Sequence, residues 1–202
     1  MKPLEGFHVA ILATNGFEES ELVEPRKAVN DVGAQTAVLA PEPGEIQGMH
    51  HSEKGARIAV DGELNSASPE DFDAVLLPGG VANADKLRMD ENARKFVRYM
   101  DRSNRPIAVI CHGPWLLVSA GLVKGRHLTS YYTLQDDIRN AGGRWSDEAV
   151  VCDKNWVSSR KPDDIPVFNK TMIQLFADAL KSQRVSSAEK TSPRKKGAAS
   201  GR

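Results

Sequence analysis

Short apolar runs recur along the first 180 residues, and segments with the spacing of amphipathic helices separate them. The runs predict strands at residues 7–13, 35–40, 73–78, 107–110, 149–152 and 155–159. The segments between them predict helices at residues 22–33, 90–101, 133–140 and 163–181. This alternation favours an α/β fold, in which helices sandwich a doubly wound, mainly parallel sheet and ligands bind at the carboxyl ends of the strands.

Two stretches depart from the alternating pattern. Residues 41–55 contain two prolines and three glycines, which predicts a long loop that leads into a short hairpin at residues 57–60. Residues 184–202 carry six basic residues and one acidic residue, although the whole chain has a formal net charge of zero. We predict a disordered basic tail there, after a single domain at residues 1–183. Because the tail lacks aromatic residues, a solvated tail is favoured over a nucleic-acid tether.

The length and composition of the chain limit the classes of protein to which it can belong. A chain of 202 residues, of which 40% are hydrophobic, is long enough for one well-buried α/β domain. No apolar run approaches the roughly 18 residues that a membrane helix needs, and the N-terminus lacks a signal peptide's apolar region. The two cysteines, Cys111 and Cys152, form neither a disulfide framework nor a CxxC pair. We therefore expect a cytoplasmic protein that does not bind a membrane.

The apolar run at residues 107–110 ends abruptly in Cys111, His112, Gly113 and Pro114, and residues 115–121 predict a helix directly afterwards. Cys111 is therefore expected on a tight turn between a strand and a helix. Such an elbow presents a nucleophile, and the helix N-terminus lowers the pKa of the thiol. The alternative is a small cysteine that packs in the core.

Other side chains are expected at the same edge of the sheet. The loop after the first strand is rich in acids, and Glu18 is the one that we expect to reach the sulfur of Cys111; the remaining acids stabilise a first helical turn. Gly79 and Gly80 follow another strand and either form a simple turn or let a backbone amide hold a developing oxyanion.

His112 is a candidate general base or acid, and such a histidine needs a carboxylate that orients it. Asp85 is the nearest acid in sequence to these loops. His50 and His51 have no companion ligand at the spacing of a metal site, and we interpret them as part of a solvated loop. Cys152 has no histidine beside it and is interpreted as a core residue or a secondary thiol.

Seven short segments together resemble a known family over roughly residues 7–181. They are GFEE at 16–19, LPGG at 77–80, ICHGP at 110–114, TSY at 129–131, DD at 136–137, NAG at 140–142 and NWVSSR at 155–160. The chain resembles the PfpI-type intracellular protease and general stress protein family. That family lies in the superfamily of the parkinsonism-associated deglycase and the class I glutamine amidotransferases, whose fold is flavodoxin-like.

The resemblance implies a role for each matching residue. Cys111 would be the nucleophile, His112 its base and Glu18 the buried carboxyl at the sulfur. Gly80, beside Gly79, and His112 would supply oxyanion-hole amides, and Tyr131 would line the pocket. In this branch a neighbouring subunit supplies the acid that orients the histidine, often as Glu. The corresponding residue here is Asp85, one residue further from the glycines, which is a departure from the family's pattern.

Three functions are compatible with an accessible, reactive thiol at Cys111. The first is a glyoxalase or deglycase activity on small reactive carbonyls, for which the resemblance implies no cofactor and no metal. The second is hydrolysis of peptide or amide bonds through a thioester, as in a cysteine peptidase. The third is a non-enzymatic stress protein whose Cys111 is oxidised to a sulfinate. The resemblance also implies a homodimer or a higher homo-oligomer with the site near the interface.

Overall fold

A seven-stranded sheet forms the centre of the molecule in the computed structural model, which describes residues 2–191 and the side chains of residues 2–185. The strands are β1 (His8–Leu12), β2 (Phe17–Glu18), β3 (Gln35–Ala40), β4 (Glu45–His50), β5 (Glu53–Ala59), β6 (Gly62–Glu63), β7 (Ala74–Leu77), β8 (Ile107–Ile110), β9 (His127–Leu128), β10 (Arg144–Trp145), β11 (Val150–Asp153) and β12 (Trp156–Ser159). The helices are α1 (Glu19–Asp31), α2 (Val81–Met89), α3 (Glu91–Arg102), α4 (Pro114–Ser119), α5 (Gln135–Asn140) and α6 (Ile165–Thr191). Short 3₁₀ turns lie at Pro69–Asp71, Tyr132–Leu134 and Pro162–Asp164.

The order of the strands in the central sheet is β11-β12-β8-β7-β1-β3-β6, and within it only the β11–β12 pair is antiparallel. Alternate side chains of β1 enter separate cores: Val9 and Ile11 pack with α1 and α6, whereas Ala10 and Leu12 pack with the core of α3 and α4. Helices therefore cover both faces of a mainly parallel sheet, which confirms the predicted fold class.

Helix α3 follows its predicted pattern closely. Its predicted apolar face, Ala93, Phe96, Val97 and Met100, is buried. The Asp90 side chain accepts a hydrogen bond of 2.8 Å from the N–H of Ala93, which satisfies a donor that the first turn leaves without a backbone partner.

Two elements differ from the sequence prediction. Residues 45–59, expected largely as a loop, form the antiparallel hairpin β4–β5, in which β4 also pairs with β2. Gly48 is needed there because a Cβ atom would lie 3.0 Å from the ring of Phe17, so a glycine that suggests a loop in the sequence instead permits close packing. Helix α2 was not predicted, because it buries only Asn83, Ala84 and Leu87 and lacks a clear apolar stripe.

The predicted end of the domain at residue 183 falls inside α6, which continues to Thr191. Part of the predicted disordered tail is therefore helical. The rest of that prediction, residues 192–202, lies outside the described residues. Among the described helices, none combines the length and the apolar content that crossing a bilayer requires.

Candidate active site

Cys111 lies directly after β8, and its backbone has the strained conformation of a nucleophile elbow. Its φ angle is +61°, a left-handed value that is rare for residues other than glycine. The conformation is held on both sides: the N–H of Cys111 donates to the carbonyl of Ser159 at 3.1 Å, and its carbonyl accepts from the N–H of Tyr131 at 2.9 Å. At Gly113 a Cβ atom would lie 2.7 Å from the carbonyl oxygen of Leu77, so the turn needs a glycine there.

The sulfur of Cys111 is surrounded by hydrogen-bonding groups, and only 7% of the residue is exposed. Its Sγ lies 3.2 Å from Nδ1 of His112. The Glu21 carboxyl group and the backbone N–H groups of Gly80 and His112 lie beside the sulfur and influence the pKa of the thiol. A base, a carboxyl group and two amides thus converge on one thiol.

The carboxyl group at the sulfur belongs to Glu21 and not to Glu18, so the predicted contact of Glu18 is wrong. Helix α1 begins at Glu19, three residues earlier than predicted, and its first turn points Glu21 into the protein. Glu18 lies instead in β2, where its Oε2 accepts a hydrogen bond of 3.1 Å from the N–H of His51. A sequence signal for Glu21 existed, because positions 21, 25 and 29 follow helical spacing and all three are buried.

Burial sets the protonation states of these groups. Glu21 is fully buried, and its desolvation raises the pKa of the carboxyl group to about 8. Glu21 therefore keeps its proton at neutral pH. Its Oε2 accepts a hydrogen bond of 2.9 Å from the N–H of Gly79, whereas its Oε1 has no hydrogen-bond partner among the described residues.

The thiol pKa of Cys111 is raised and not lowered as the sequence predicted. Desolvation is the main cause, followed by the unfavourable interaction with the charge of Glu21 when that group is ionised. These effects outweigh the hydrogen bonds from the Gly80 and His112 amides, and α4 is only six residues long. Desolvation also lowers the pKa of His112, so at neutral pH its imidazole is uncharged and free to accept a proton.

His112 has a hydrogen-bonding neighbour at each ring nitrogen, and two aromatic rings contact its imidazole. Its Nε2 lies 3.3 Å from Oγ1 of Thr133. The ring of Tyr131 stacks on the imidazole with centroids 4.8 Å apart, and Trp115 contacts it edge-on at 5.4 Å. Sequence reasoning missed Thr133, because a hydroxyl residue 21 positions further along the chain carries no distinctive pattern. Asp85 is exposed on α2 and, within this chain, its carboxylate forms no hydrogen bond with His112.

Gly79 and Gly80 lie where a side chain would obstruct the site. A Cβ atom on Gly79 would be 3.0 Å from Sγ of Cys111 and 2.5 Å from Oε2 of Glu21. Gly80 has a φ angle of +88°, and a Cβ atom there would collide with the carbonyl oxygen of Gly16. These two glycines let the backbone reach the sulfur; their role as oxyanion donors remains a prediction.

A cavity of about 790 Å³ opens above the sulfur. This volume lies within the range of small-molecule sites. Its lining comes from six parts of the chain and contains Gly16, Glu18, Glu21, Met49, His51, Gly80, Val81, Ala82, Cys111, His112, Tyr131, Thr133, Lys161, Pro162 and Asp163. Tyr131 therefore lines the pocket as the resemblance implied.

The remaining sequence candidates lie apart from the sulfur. Cys152 is exposed on β11 and is not the core residue that was one of its two interpretations. His50 ends β4, and its Nε2 lies 3.3 Å from Oε2 of Glu19. His51 occupies the tight turn between β4 and β5 with a φ angle of +55°, so the two histidines belong to a hairpin and not to a loop.

Known proteins share the sequence pattern and the fold of this chain. The model of the DJ-1/PfpI family matches residues 7–175. The deglycase PfpI of Pyrococcus furiosus is 40% identical over 168 residues, which cover 83% of this chain and 98% of that protein. General stress protein 18 of Bacillus subtilis is 38% identical over 173 residues, which cover 85% of this chain and 98% of that protein. The crystal structure of Drosophila melanogaster DJ-1beta has the same fold, with a TM-score of 0.78 at 23% identity over 93% of this chain and 99% of that one.

Proposed function

This chain belongs to the DJ-1/PfpI family, and from that premise we propose that it is a cofactor-free enzyme of the glyoxalase or deglycase type. Its substrates would be small reactive carbonyls such as methylglyoxal, or the early adducts of these carbonyls on amines and thiols. One observation carries the proposal: the sulfur of Cys111 lies at the bottom of a cavity between an uncharged histidine and a protonated carboxyl group.

The first step follows from these protonation states. As Sγ of Cys111 attacks the aldehyde carbon, its proton passes to Nδ1 of His112, 3.2 Å away. A C–S bond forms, and the electron pair of the carbonyl double bond moves to oxygen. The N–H groups of Gly80 and His112 lie beside the reacting sulfur and would stabilise the oxyanion that forms there.

The second step moves a proton within the bound substrate. His112 first returns the thiol proton to the oxyanion, which gives a neutral hemithioacetal. It then carries the proton from the carbon that bears sulfur to the neighbouring carbonyl carbon through an enediol, and this leaves a thioester on Cys111. Water then hydrolyses the thioester to lactate and regenerates the thiol. Methylglyoxal and one water thus become lactate, and an adduct releases its amine or thiol in addition.

A redox role is the second candidate, and the contact between Glu21 and the sulfur favours it. A protonated carboxyl group can donate a hydrogen bond to a sulfinate and stop further oxidation at that stage. The same property of Glu21 therefore supports both candidates, and only substrate turnover separates them.

We also propose that the enzyme is cytoplasmic. Both cysteines are free, which fits the reducing cytoplasm.

We propose a homodimer or a larger homo-oligomer with the cavity near the interface. Val81 at the cavity is 56% exposed, and Met89 on the same helix is 71% exposed, so α2 presents apolar side chains that a second copy can cover.

The test compares the wild type with Cys111→Ala and with the matched control Cys152→Ala. Each protein is given methylglyoxal with lactate as the readout, then a fluorogenic peptide, and then peroxide with intact mass as the readout. We expect lactate from the wild type and from Cys152→Ala, and none above background from Cys111→Ala. Turnover of the peptide alone would show a peptidase, and oxidation of Cys111 without any turnover would show a redox protein.

The peroxide arm includes Glu21→Leu and, as a matched control, Glu18→Leu. Glu21→Leu removes the donor at the sulfur, so oxidation of Cys111 should continue beyond the sulfinate. Glu18→Leu keeps that donor and should resemble the wild type. Identical mass profiles for all three proteins would remove Glu21 from the redox chemistry.

A further inference from the structure

We infer that Thr133 of the same chain is the positioning residue that orients His112 and selects its proton-accepting tautomer. The inference rests on the proposed function in one respect, because it concerns the base of that reaction. It assigns to Thr133 the part that the family resemblance gave to Asp85 of a neighbouring subunit.

The argument begins with the two ring nitrogens. Nδ1 of His112 faces Sγ of Cys111 at 3.2 Å, and Nε2 faces Oγ1 of Thr133 at 3.3 Å. A neutral imidazole carries one proton, and Nδ1 can take the thiol proton only if the ring hydrogen is on Nε2. A threonine hydroxyl has lone pairs that can accept from Nε2–H, so the contact with Thr133 provides the partner that the base-competent tautomer needs.

The contact also fits the charged state of the base. When Nδ1 has taken the thiol proton, both ring nitrogens are donors, and each has an acceptor in place: the thiolate for Nδ1 and the hydroxyl for Nε2. His112 is buried, so a donor on Nε2 without a partner would cost free energy in this state. Thr133 provides that partner without bringing a second negative charge to the site.

The surrounding backbone holds Thr133 in place. The N–H of Tyr131 donates to the carbonyl of Cys111 at 2.9 Å, and the N–H of Leu134 donates to the carbonyl of Tyr131 at 3.1 Å. Leu134 is fully buried and anchors the 3₁₀ turn that contains Thr133. The turn is thus tied directly to the elbow, and Tyr131 sets the plane of the imidazole by stacking on it.

Asp85 is less suited to this role within the chain. It is exposed on α2, and the Nε2 atom that it would have to approach already has Thr133 as a neighbour. A carboxylate from a second copy would have to displace the hydroxyl to reach the ring. The two arrangements therefore predict different effects of substitution: activity depends on Thr133 in the first and on Asp85 in the second.

The first measurement needs no variant: the ¹⁵N chemical shifts of the His112 ring in the wild type at pH 7.5. We expect Nε2 to be the protonated nitrogen and Nδ1 the unprotonated one. The reverse assignment would overturn the inference. This measurement is independent of any substrate, so it stands even if carbonyl turnover proves not to be the function.

The second measurement compares Thr133→Val, Thr133→Ser and Asp85→Ala for methylglyoxal turnover and for alkylation of Cys111 by iodoacetamide. Thr133→Val removes the hydroxyl at nearly constant volume, and we expect kcat and the alkylation rate to fall about tenfold with little change in KM. Thr133→Ser should restore most of both rates. Thr171→Val, which removes a hydroxyl on α6 that bonds Val167, is the matched control and should behave as the wild type.

Three results would contradict the inference. One is a Thr133→Val protein with wild-type alkylation and unchanged ring shifts. Another is an Asp85→Ala protein that alone loses both rates, which would return the orienting role to Asp85 of a second copy. Loss of lactate formation without loss of alkylation in Thr133→Val would also count against it. Failure of the proposed function is separate, because it would show as equal lactate formation by the wild type and Cys111→Ala.

Discussion

Glu21 is the residue whose protonation most directly links the site to the stability of the whole protein. Its carboxyl group has a pKa of about 8 in the folded state and an ordinary value of 4.5. Between these two values the folded protein holds a proton that the unfolded chain releases. The free energy of unfolding therefore falls as pH rises through this window, and the contribution vanishes below pH 4.5, where both states are protonated.

Glu21→Gln should remove this dependence, because an amide has the shape of the protonated carboxyl group and does not ionise. We expect the difference in free energy of unfolding between Glu21→Gln and the wild type to grow in favour of the variant from pH 5 to pH 8. Urea unfolding at several pH values measures it. His112 contributes a slope of the opposite sign below about pH 6.5, since its pKa is lowered by burial, but both proteins share that slope.

Glu24→Gln, an exposed position on the same helix, is the control and should leave the wild-type slope unchanged. Parallel curves for the wild type and Glu21→Gln would mean that Glu21 is already ionised in the folded protein. The proposed hydrogen bond from protonated Glu21 to a sulfinate on Cys111 would then be wrong.

At the scale of residues, the sequence predicted the position of Cys111 and His112 better than it predicted the groups that surround them. The elbow at Cys111 follows from local order, because an apolar strand that stops at Cys-His-Gly leaves few other conformations. The identity of the buried carboxyl does not, because it depends on where α1 begins, and helix ends are the least certain feature of a pattern. The direction of the thiol pKa was wrong for a similar reason: desolvation is a property of the folded surroundings.

At the scale of elements, two neighbouring acids fix the hairpin β4–β5 beside the cavity. They are Glu18, at the end of β2, and Glu19, the first residue of α1. Glu18 accepts from the N–H of His51 at 3.1 Å. Glu19 accepts from the N–H of Ala56 and lies 3.3 Å from Nε2 of His50. Because Met49 and His51 line the cavity, these contacts connect the position of the hairpin with substrate binding.

Glu19→Ala should loosen this hairpin while the central sheet stays intact. A hydrogen bond to a charged group contributes about 1.5–3 kcal/mol, so amide exchange at Ala56 should become at least tenfold faster. We also expect KM for methylglyoxal to rise more than kcat falls. Exchange measured by mass spectrometry or NMR checks the first expectation, and steady-state kinetics check the second.

Glu45→Ala is the matched control within the same hairpin. Glu45 pairs with Arg57 at 3.5 Å, and both side chains are exposed, so the pair contributes little. If Glu45→Ala and Glu19→Ala raise exchange equally, the hairpin is generally weak and the acids of α1 do not hold it.

The elements that the sequence predicted well are those with a buried face of their own. Helix α3 and the strands β1, β7 and β8 show their periodicity because each is packed along its length. Most of the hairpin and all of α2 were missed because their residues are mostly exposed or partly buried. Contacts with β2 and α1 stabilise the hairpin, and contacts with α3 and α4 stabilise α2. Such elements depend on tertiary partners that are distant in sequence.

At the scale of the whole molecule, the proposed homo-oligomer makes α2 the surface to test. This helix carries Asp85 together with the exposed Val81 and Met89, and it begins at the cavity. A contact between two copies through this face would cover apolar area that a monomer leaves in water, and it would place the two cavities near one interface.

Light scattering should give the wild type at least twice the 22.1 kDa mass of one chain. Met89→Glu puts a charge in the covered apolar face and should shift the protein towards the monomer, because an unpaired buried charge is costly. Val185→Glu, a substitution at a residue of α6 that is 59% exposed, should leave the mass unchanged.

The activity of the dissociated protein tests which residue orients His112. If Thr133 orients His112 within each chain, the Met89→Glu monomer should keep most of its lactate formation. If Asp85 of a second copy orients it, dissociation should abolish lactate formation. The proposed assembly would be contradicted if light scattering gave the wild type the mass of a single chain at all concentrations. Asp85 could then not reach a neighbouring subunit and would be an ordinary exposed residue of α2.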